Sequence, residues 1–136
     1  MPILGAHVSV AGGLHNAFAN AEKIGAKALQ IFGASPRQWK AKLPDPEILK
    51  KYKEAKVKGW PVFQHASYLP NFATPDDELY AKSIANLTAH LQIAEAIGSV
   101  GLIYHIGSHK NSDPDTAAKR ISDGMHQVLK NVPGKA

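Results

Sequence analysis

The sequence predicts an α/β chain of four consecutive strand–helix units, one half of a parallel barrel. Three observations predict it. Short apolar runs alternate with stretches of helical spacing, glycine follows the first three helical stretches, and one helix-to-strand turn occurs twice, as Ala21-Glu22-Lys23-Ile24-Gly25 and as Ala94-Glu95-Ala96-Ile97-Gly98. Strands that alternate with helices pair in parallel, because each right-handed crossover returns the chain to the same edge. A doubly wound sheet is the rival architecture. Against it, the first strand lacks the Gly-x-Gly-x-x-Gly fingerprint, since Ala11-Gly12-Gly13 is too short and has no third glycine.

The first apolar run, residues 3–10, is rich in β-branched side chains and reads as a buried strand closed by Gly12-Gly13. Leu14, Ala17, Phe18, Ala21 and Ile24 then fall at steps of three and four, and Gly25 ends that helix. Ala28–Phe32 is the second strand. Residues 33–44 contain Ser35-Pro36 and Leu43-Pro44 as breakers and form a long loop. Asp45 caps a helix marked by Ile48, Leu49, Tyr52 and Ala55 and ended by Gly59; residues 61–65 are a third strand with proline at its start, where a missing N–H is tolerated. After a loop over residues 66–74, Thr74 is the expected cap and Pro75 the first-turn residue of a long helix lined by Leu79, Ile84, Leu87, Leu91 and Ala94 and closed by Gly98. Residues 101–105 are the fourth strand. Asp113-Pro114 opens the last helix, with Ala117, Ile121, Met125, Val128 and Leu129 on its apolar face and Val132-Pro133-Gly134 at its end.

At 136 residues the chain is expected to form one domain, residues 1–136, around one core. It contains no cysteine, which excludes disulfides and thiolate metal sites and leaves histidine and carboxylate as the strong metal ligands. No basic, apolar leader and no run of about 20 apolar residues is read, so the expectation is a cytoplasmic protein with no membrane partner. Sixteen basic against eleven acidic side chains leave a formal charge of +5, a modest attraction for a polyanion.

Polar side chains gather where the expected strands finish: His7 and Ser9, Arg37 and Trp39, His65 and Tyr68, His105 and His109. In a β/α barrel those ends share one face, and that face carries the active site because loops from several strands converge there. His65 and His105, on neighbouring strands, are the expected metal ligands, imidazole being the commonest metal-binding side chain. A single strand-end histidine is more commonly a hydrogen-bonded structural residue; the concentration of several argues for a site. His15, His90 and His126 lie within helical patterns and are assigned to solvated or packing roles. Arg37 and Tyr68, on proline-bounded loops above the metal face, suit phosphate contact and base stacking.

Gly5-Ala6-His7-Val8-Ser9 with Ala11-Gly12-Gly13, then Arg37-Gln38-Trp39, His65-Ala66-Ser67-Tyr68-Leu69 and His105-Ile106-Gly107-Ser108-His109, in this order and spacing, resemble the endonuclease IV family. The resemblance covers the whole chain but only the N-terminal half of the family's TIM-type barrel. It implies a zinc-dependent phosphodiesterase acting at abasic sites in damaged DNA, in base excision repair. His65 and His105 match two zinc ligands; Arg37, Tyr68 and Leu69 match loop residues that enter duplex DNA at the lesion; His7 and His109 match motif histidines with structural or supporting roles. Two departures stand out: Ser35-Pro36 replaces more polar residues, and Ile106 stands where proline is usual. No catalytic residue is assigned, because the resemblance places the carboxylate that bridges two zinc ions, and the remaining ligands, on later strands.

The expected zinc site is therefore incomplete in this sequence, and the chain alone is expected to be inactive. The free edges of the first and last strands favour a homo-oligomer, or pairing with a complementary C-terminal half that completes the barrel. Two alternatives are a sugar isomerase- or epimerase-like metal barrel, which has no use for Arg37 and Tyr68, and a non-catalytic DNA-binding or assembly half-barrel.

Overall fold

A computed structural model describes residues 2–136. The elements follow the predicted order: β1 (Gly5–His7), α1 (Asn16–Lys23), β2 (Ala28–Phe32), α2 (Pro46–Ala55), β3 (Val62–His65), α3 (Asp77–Ile97), β4 (Gly101–Ile103) and α4 (Pro114–Asn131). All three strand pairs are parallel, and the sheet order is β1-β2-β3-β4. A doubly wound sheet reverses direction at a switch point; this one never does, which settles the architecture as a four-unit barrel segment.

The pleat sorts the strand residues onto two faces. Leu29, Ile31 and Val62 point to the helices and are buried with Ala17, Phe18, Ala21, Tyr52, Ile93 and Ile97 in one core cluster. A second cluster, Phe72, Leu87, Leu91, Ala94 and Val128, binds α3 to α4. The opposite face corresponds to a barrel interior. Register places Gln30 beside Phe63, Phe32 beside His65, and His65 beside Ile103 on it. Phe63 and Ile103 remain 36% and 39% exposed there.

Boundaries depart from the sequence reading most clearly at four places, each for a local reason. β1 is three residues long rather than eight, because an edge strand is bonded on one side only; single bonds from Lys27 N–H to the Leu4 carbonyl and from Val8 N–H to the Gln30 carbonyl extend the contact beyond the ladder. α2 stops at Ala55, since Lys56 is already extended, and Gly59 at φ 85° serves the turn into β3. The cap of α3 is Asp76, not Thr74: its carboxylate accepts from Leu79 N–H at 2.9 Å, while the Thr74 hydroxyl accepts from Asp76 N–H and shapes the approach. β4 ends at Ile103, so His105 lies just beyond the ladder. Gly98 closes α3 in the left-handed conformation at φ 61°, as its position predicts. Asp76→Ala is expected to cost about 1 kcal/mol of unfolding free energy, measured by urea titration, whereas Thr74 as the true cap would leave that variant unchanged.

Candidate functional site

β1, β2, β3 and β4 deliver His7, Phe32, His65 and His105 to one end of the sheet, and the loop after β3 lays Tyr68 across them. The rings of His65 and His105 are 5.2 Å apart between centroids, and Tyr68 stands 5.6 Å from each. Phe32 fills the space between His7, at 4.6 Å, and His65, at 5.4 Å. His65 is 8% exposed and Tyr68 55%, so the tyrosine faces solvent above a largely buried imidazole.

Hydrogen bonds fix what each imidazole offers. His65 Nδ1 lies 2.7 Å from the Ala66 carbonyl, which only accepts; Nδ1 therefore carries the hydrogen and Nε2 keeps a lone pair for a cation. His7 is held the other way. The Gln30 amide nitrogen donates to His7 Nδ1 at 2.7 Å, which puts the ring hydrogen on Nε2. Desolvation, followed by the neighbouring charge of His65, lowers the His7 pKa below its ordinary 6.5. His109 donates from Nδ1 to the Ser112 carbonyl at 2.9 Å, and the Ser112 hydroxyl donates back to the His109 carbonyl at 2.7 Å, closing an exposed turn outside the ring cluster.

Arg37 is exposed on the loop after β2, and Leu69 is half-buried beside Tyr68. The two loops touch: Tyr68 N–H donates to the Pro36 carbonyl at 3.0 Å. Residues 33–44 contain Arg37, Lys40 and Lys42 and no carboxylate. Between this loop and the one after β1 runs a groove of about 730 Å³, lined by His7, Ser9, Phe32, Gln38, Lys40 and Lys42 among others. Its polar rim is neutral or positive, as a polyanion requires.

Several residues escaped the sequence reading. Phe32 sits at the centre of the ring cluster, although it reads as an ordinary strand end. His90, assigned to a solvated or packing role, is fully buried beneath the site, where its Nε2 accepts from Ser67 N–H at 3.3 Å and its backbone carbonyl accepts from the Gln64 amide at 2.9 Å. Desolvation, reinforced by the charge of His65, pushes the His90 pKa down to about 4. Gln64 in turn explains Gly33, since a Cβ there would lie 2.5 Å from the Gln64 side-chain amide. The signal available in advance was the spacing of Asn86 and His90, four apart within an apolar helix face.

Among the described residues, no group of three or more histidine, aspartate or glutamate side chains is arranged to hold a metal ion. His65 and His105, with ring centroids 5.2 Å apart, are the two imidazoles brought nearest one another at this end of the sheet.

The sequence pattern of the family described as xylose isomerase-like TIM barrel matches residues 18–132. The chain belongs to that family. Within it, the chain is 40% identical over 131 residues to a probable endonuclease 4 of Halothermothrix orenii, covering 95% of this chain and 47% of that protein. It is 38% identical to a probable endonuclease 4 of Chlorobium luteolum, covering 96% and 49%. Among solved structures, endonuclease IV from Thermus thermophilus superposes with a TM-score of 0.81 at 32% identity, over 95% of this chain and 46% of that one. The resemblance to endonuclease IV therefore holds. The chain spans about half the length of the curated relatives it matches. A 3-keto-D-glucoside 4-epimerase from E. coli aligns with a TM-score of 0.63 at 16% identity, a likeness of fold alone. No helix among the described residues is long and apolar enough to cross a membrane.

Proposed function

We propose that this chain supplies the first half of the site of a zinc-dependent endonuclease acting at abasic sites in damaged DNA, within cytoplasmic base excision repair. One observation carries the reading: the rings of His65, its Nδ1 committed to the Ala66 carbonyl, and of His105 lie 5.2 Å apart between centroids, beside an exposed tyrosine and a carboxylate-free basic loop. His65 and His105 hold zinc, whose Lewis acidity stabilises charge developing on a phosphodiester under attack. Tyr68 and Leu69 enter the duplex at the lesion, the tyrosine offering a stacking face and the leucine an apolar edge. Arg37 meets phosphate, with Lys40 and Lys42 following the backbone nearby. His7 packs against Phe32 and presents an N–H rather than a lone pair, and His109 braces the loop after His105.

Two histidines fall short of the three or four protein ligands of an ordinary zinc site, so hydrolysis requires groups from the rest of the barrel. A complementary C-terminal half is the proposed source. Its docking face is the sheet surface bearing Phe63 and Ile103, and the isolated chain covers the same surface by pairing with a second copy. Sedimentation at micromolar concentration is expected to show a dimer or larger species, and a stable monomer would reject self-association.

The functional test uses a duplex with one abasic site. The chain alone is expected to bind without cleaving, and the same chain mixed with a C-terminal half from a relative is expected to cleave at the lesion. The two-histidine ligand set also favours a second reading, a DNA-binding module without turnover. Binding by the chain, with no cleavage once the barrel is completed, selects that reading; indifference to the abasic site rejects both.

A further inference from the structure

The loop carrying Arg37 and the loop carrying Tyr68 arise from different strands, and barrel geometry alone leaves them free to move separately. In this chain α3 grips both. Asn86, 3% exposed, donates from Nδ2 to the Trp39 carbonyl at 2.6 Å and accepts at Oδ1 from the Ser67 hydroxyl at 3.1 Å. One turn earlier, the Lys82 ammonium stands 4.5 Å over the centre of the Trp39 ring. One turn later, His90 accepts from Ser67 N–H. Residues 82, 86 and 90 are spaced by four and so form one stripe along the helix. Above the stripe, the bond from Tyr68 N–H to the Pro36 carbonyl closes a ring of contacts through both loops.

We propose that the Lys82–Asn86–His90 stripe clamps the two loops into a single preset unit, and that Asn86 is its central positioning residue. A carboxamide suits that place because it offers a donor to the Trp39 carbonyl and an acceptor to the Ser67 hydroxyl from one short side chain. Aspartate keeps the acceptor but loses the donor, and alanine loses both. The consequence for recognition rests on the DNA reading above: Arg37 and Tyr68 meet the duplex already ordered relative to one another, so the entropy of fixing two loops is lost at folding rather than at binding.

Hydrogen exchange followed by mass spectrometry on the full chain tests the clamp without DNA. Asn86→Ala is expected to speed exchange about tenfold in peptides from both 33–44 and 66–74, while peptides from α1 and β2 keep their rates. Acceleration in one loop only, or in neither, overturns the single-unit proposal. Should that variant fail to fold, Ser67→Ala removes one hydroxyl from the same ring, and the same two-loop criterion applies to it. The positioning role is read on two duplexes, one intact and one carrying a tetrahydrofuran abasic analogue. Asn86→Ala should lower the preference for the abasic duplex about tenfold, the intact duplex losing less affinity than the abasic one, and adding Tyr68→Ala should cost little more. Equal preference in Asn86→Ala and wild type overturns that role. A wild type with no preference sinks the DNA reading and the recognition role together, leaving the exchange rates to decide the clamp.

Discussion

In a barrel completed to the length of its relatives, His65→Ala is expected to lower abasic-site cleavage by more than ~10²-fold, equivalent to about 2.7 kcal/mol of activation free energy. The reason is positional. His65 ends β3, is buried against Phe32, and has its Nδ1–H committed to the Ala66 carbonyl, so its free nitrogen is aimed by the backbone rather than by chance rotation. Among the described residues no group of three or more histidine, aspartate or glutamate side chains offers an alternative metal site. His109→Ala provides the contrast. Its imidazole is spent on an exposed turn with Ser112, and that variant should retain activity within a few-fold. The check is a steady-state rate on an abasic duplex for both variants, with thermal unfolding as the control for folding. Comparable rates for His65→Ala and wild type would remove the histidine from the metal site.

The second large effect is a loss of stability in mild acid. The His90 pKa lies near 4 in the folded chain against an ordinary value of 6.5, chiefly through desolvation and then through the charge of His65. Between those values the unfolded chain binds a proton that the folded chain refuses, so stability rises with pH across the window and is lost as pH falls from 6.5 toward 4. The gap corresponds to on the order of 3 kcal/mol. His7, lowered for the same reasons, acts in the same direction. Asp113 does not confuse the test: its carboxylate accepts from the Thr116 backbone N–H and hydroxyl and is held below 3.8, so its contribution disappears only at lower pH. Urea midpoints at pH 7.0, 5.5 and 4.5 are expected to fall steeply for wild type. His90→Gln keeps an acceptor for Ser67 N–H without the titration, and should start less stable at pH 7.0 but fall less. Parallel slopes for the two proteins would show that His90 is not the acid-sensitive group.

Much of this was legible in the chain because parallel strands buried against helices are short apolar runs set off by turn residues. Ala28–Phe32 is read with its observed bounds, and Gly98 is placed at the end of α3 where the left-handed conformation is required. The strand-end position of His65 follows from the same logic. The sequence reading carries the fourth strand to His105, two residues past its observed end, because a ladder ends where its partner stops pairing and no residue in β4 announces that. Thr74 was misread as a cap for a related reason: Thr74, Asp76 and Asp77 all carry side chains able to cap, and only the backbone path selects among them. What periodicity could not reveal is convergence from different elements. Phe32 joins the histidines through strand register, and Asn86 and His90 reach the loops only because α3 lies beneath both. Each looks ordinary within its own segment.

The metal chemistry stands or falls on His65 and His105 sharing one cation. A crystal of this chain soaked in zinc, with the ion identified by its anomalous signal, is the sharpest test. A single ion is expected about 2.0–2.1 Å from the Nε2 of His65 and from one nitrogen of His105, with Tyr68 overhead. Zinc bound to only one of them, or the two rings turned apart with the ion elsewhere, would refute the shared site.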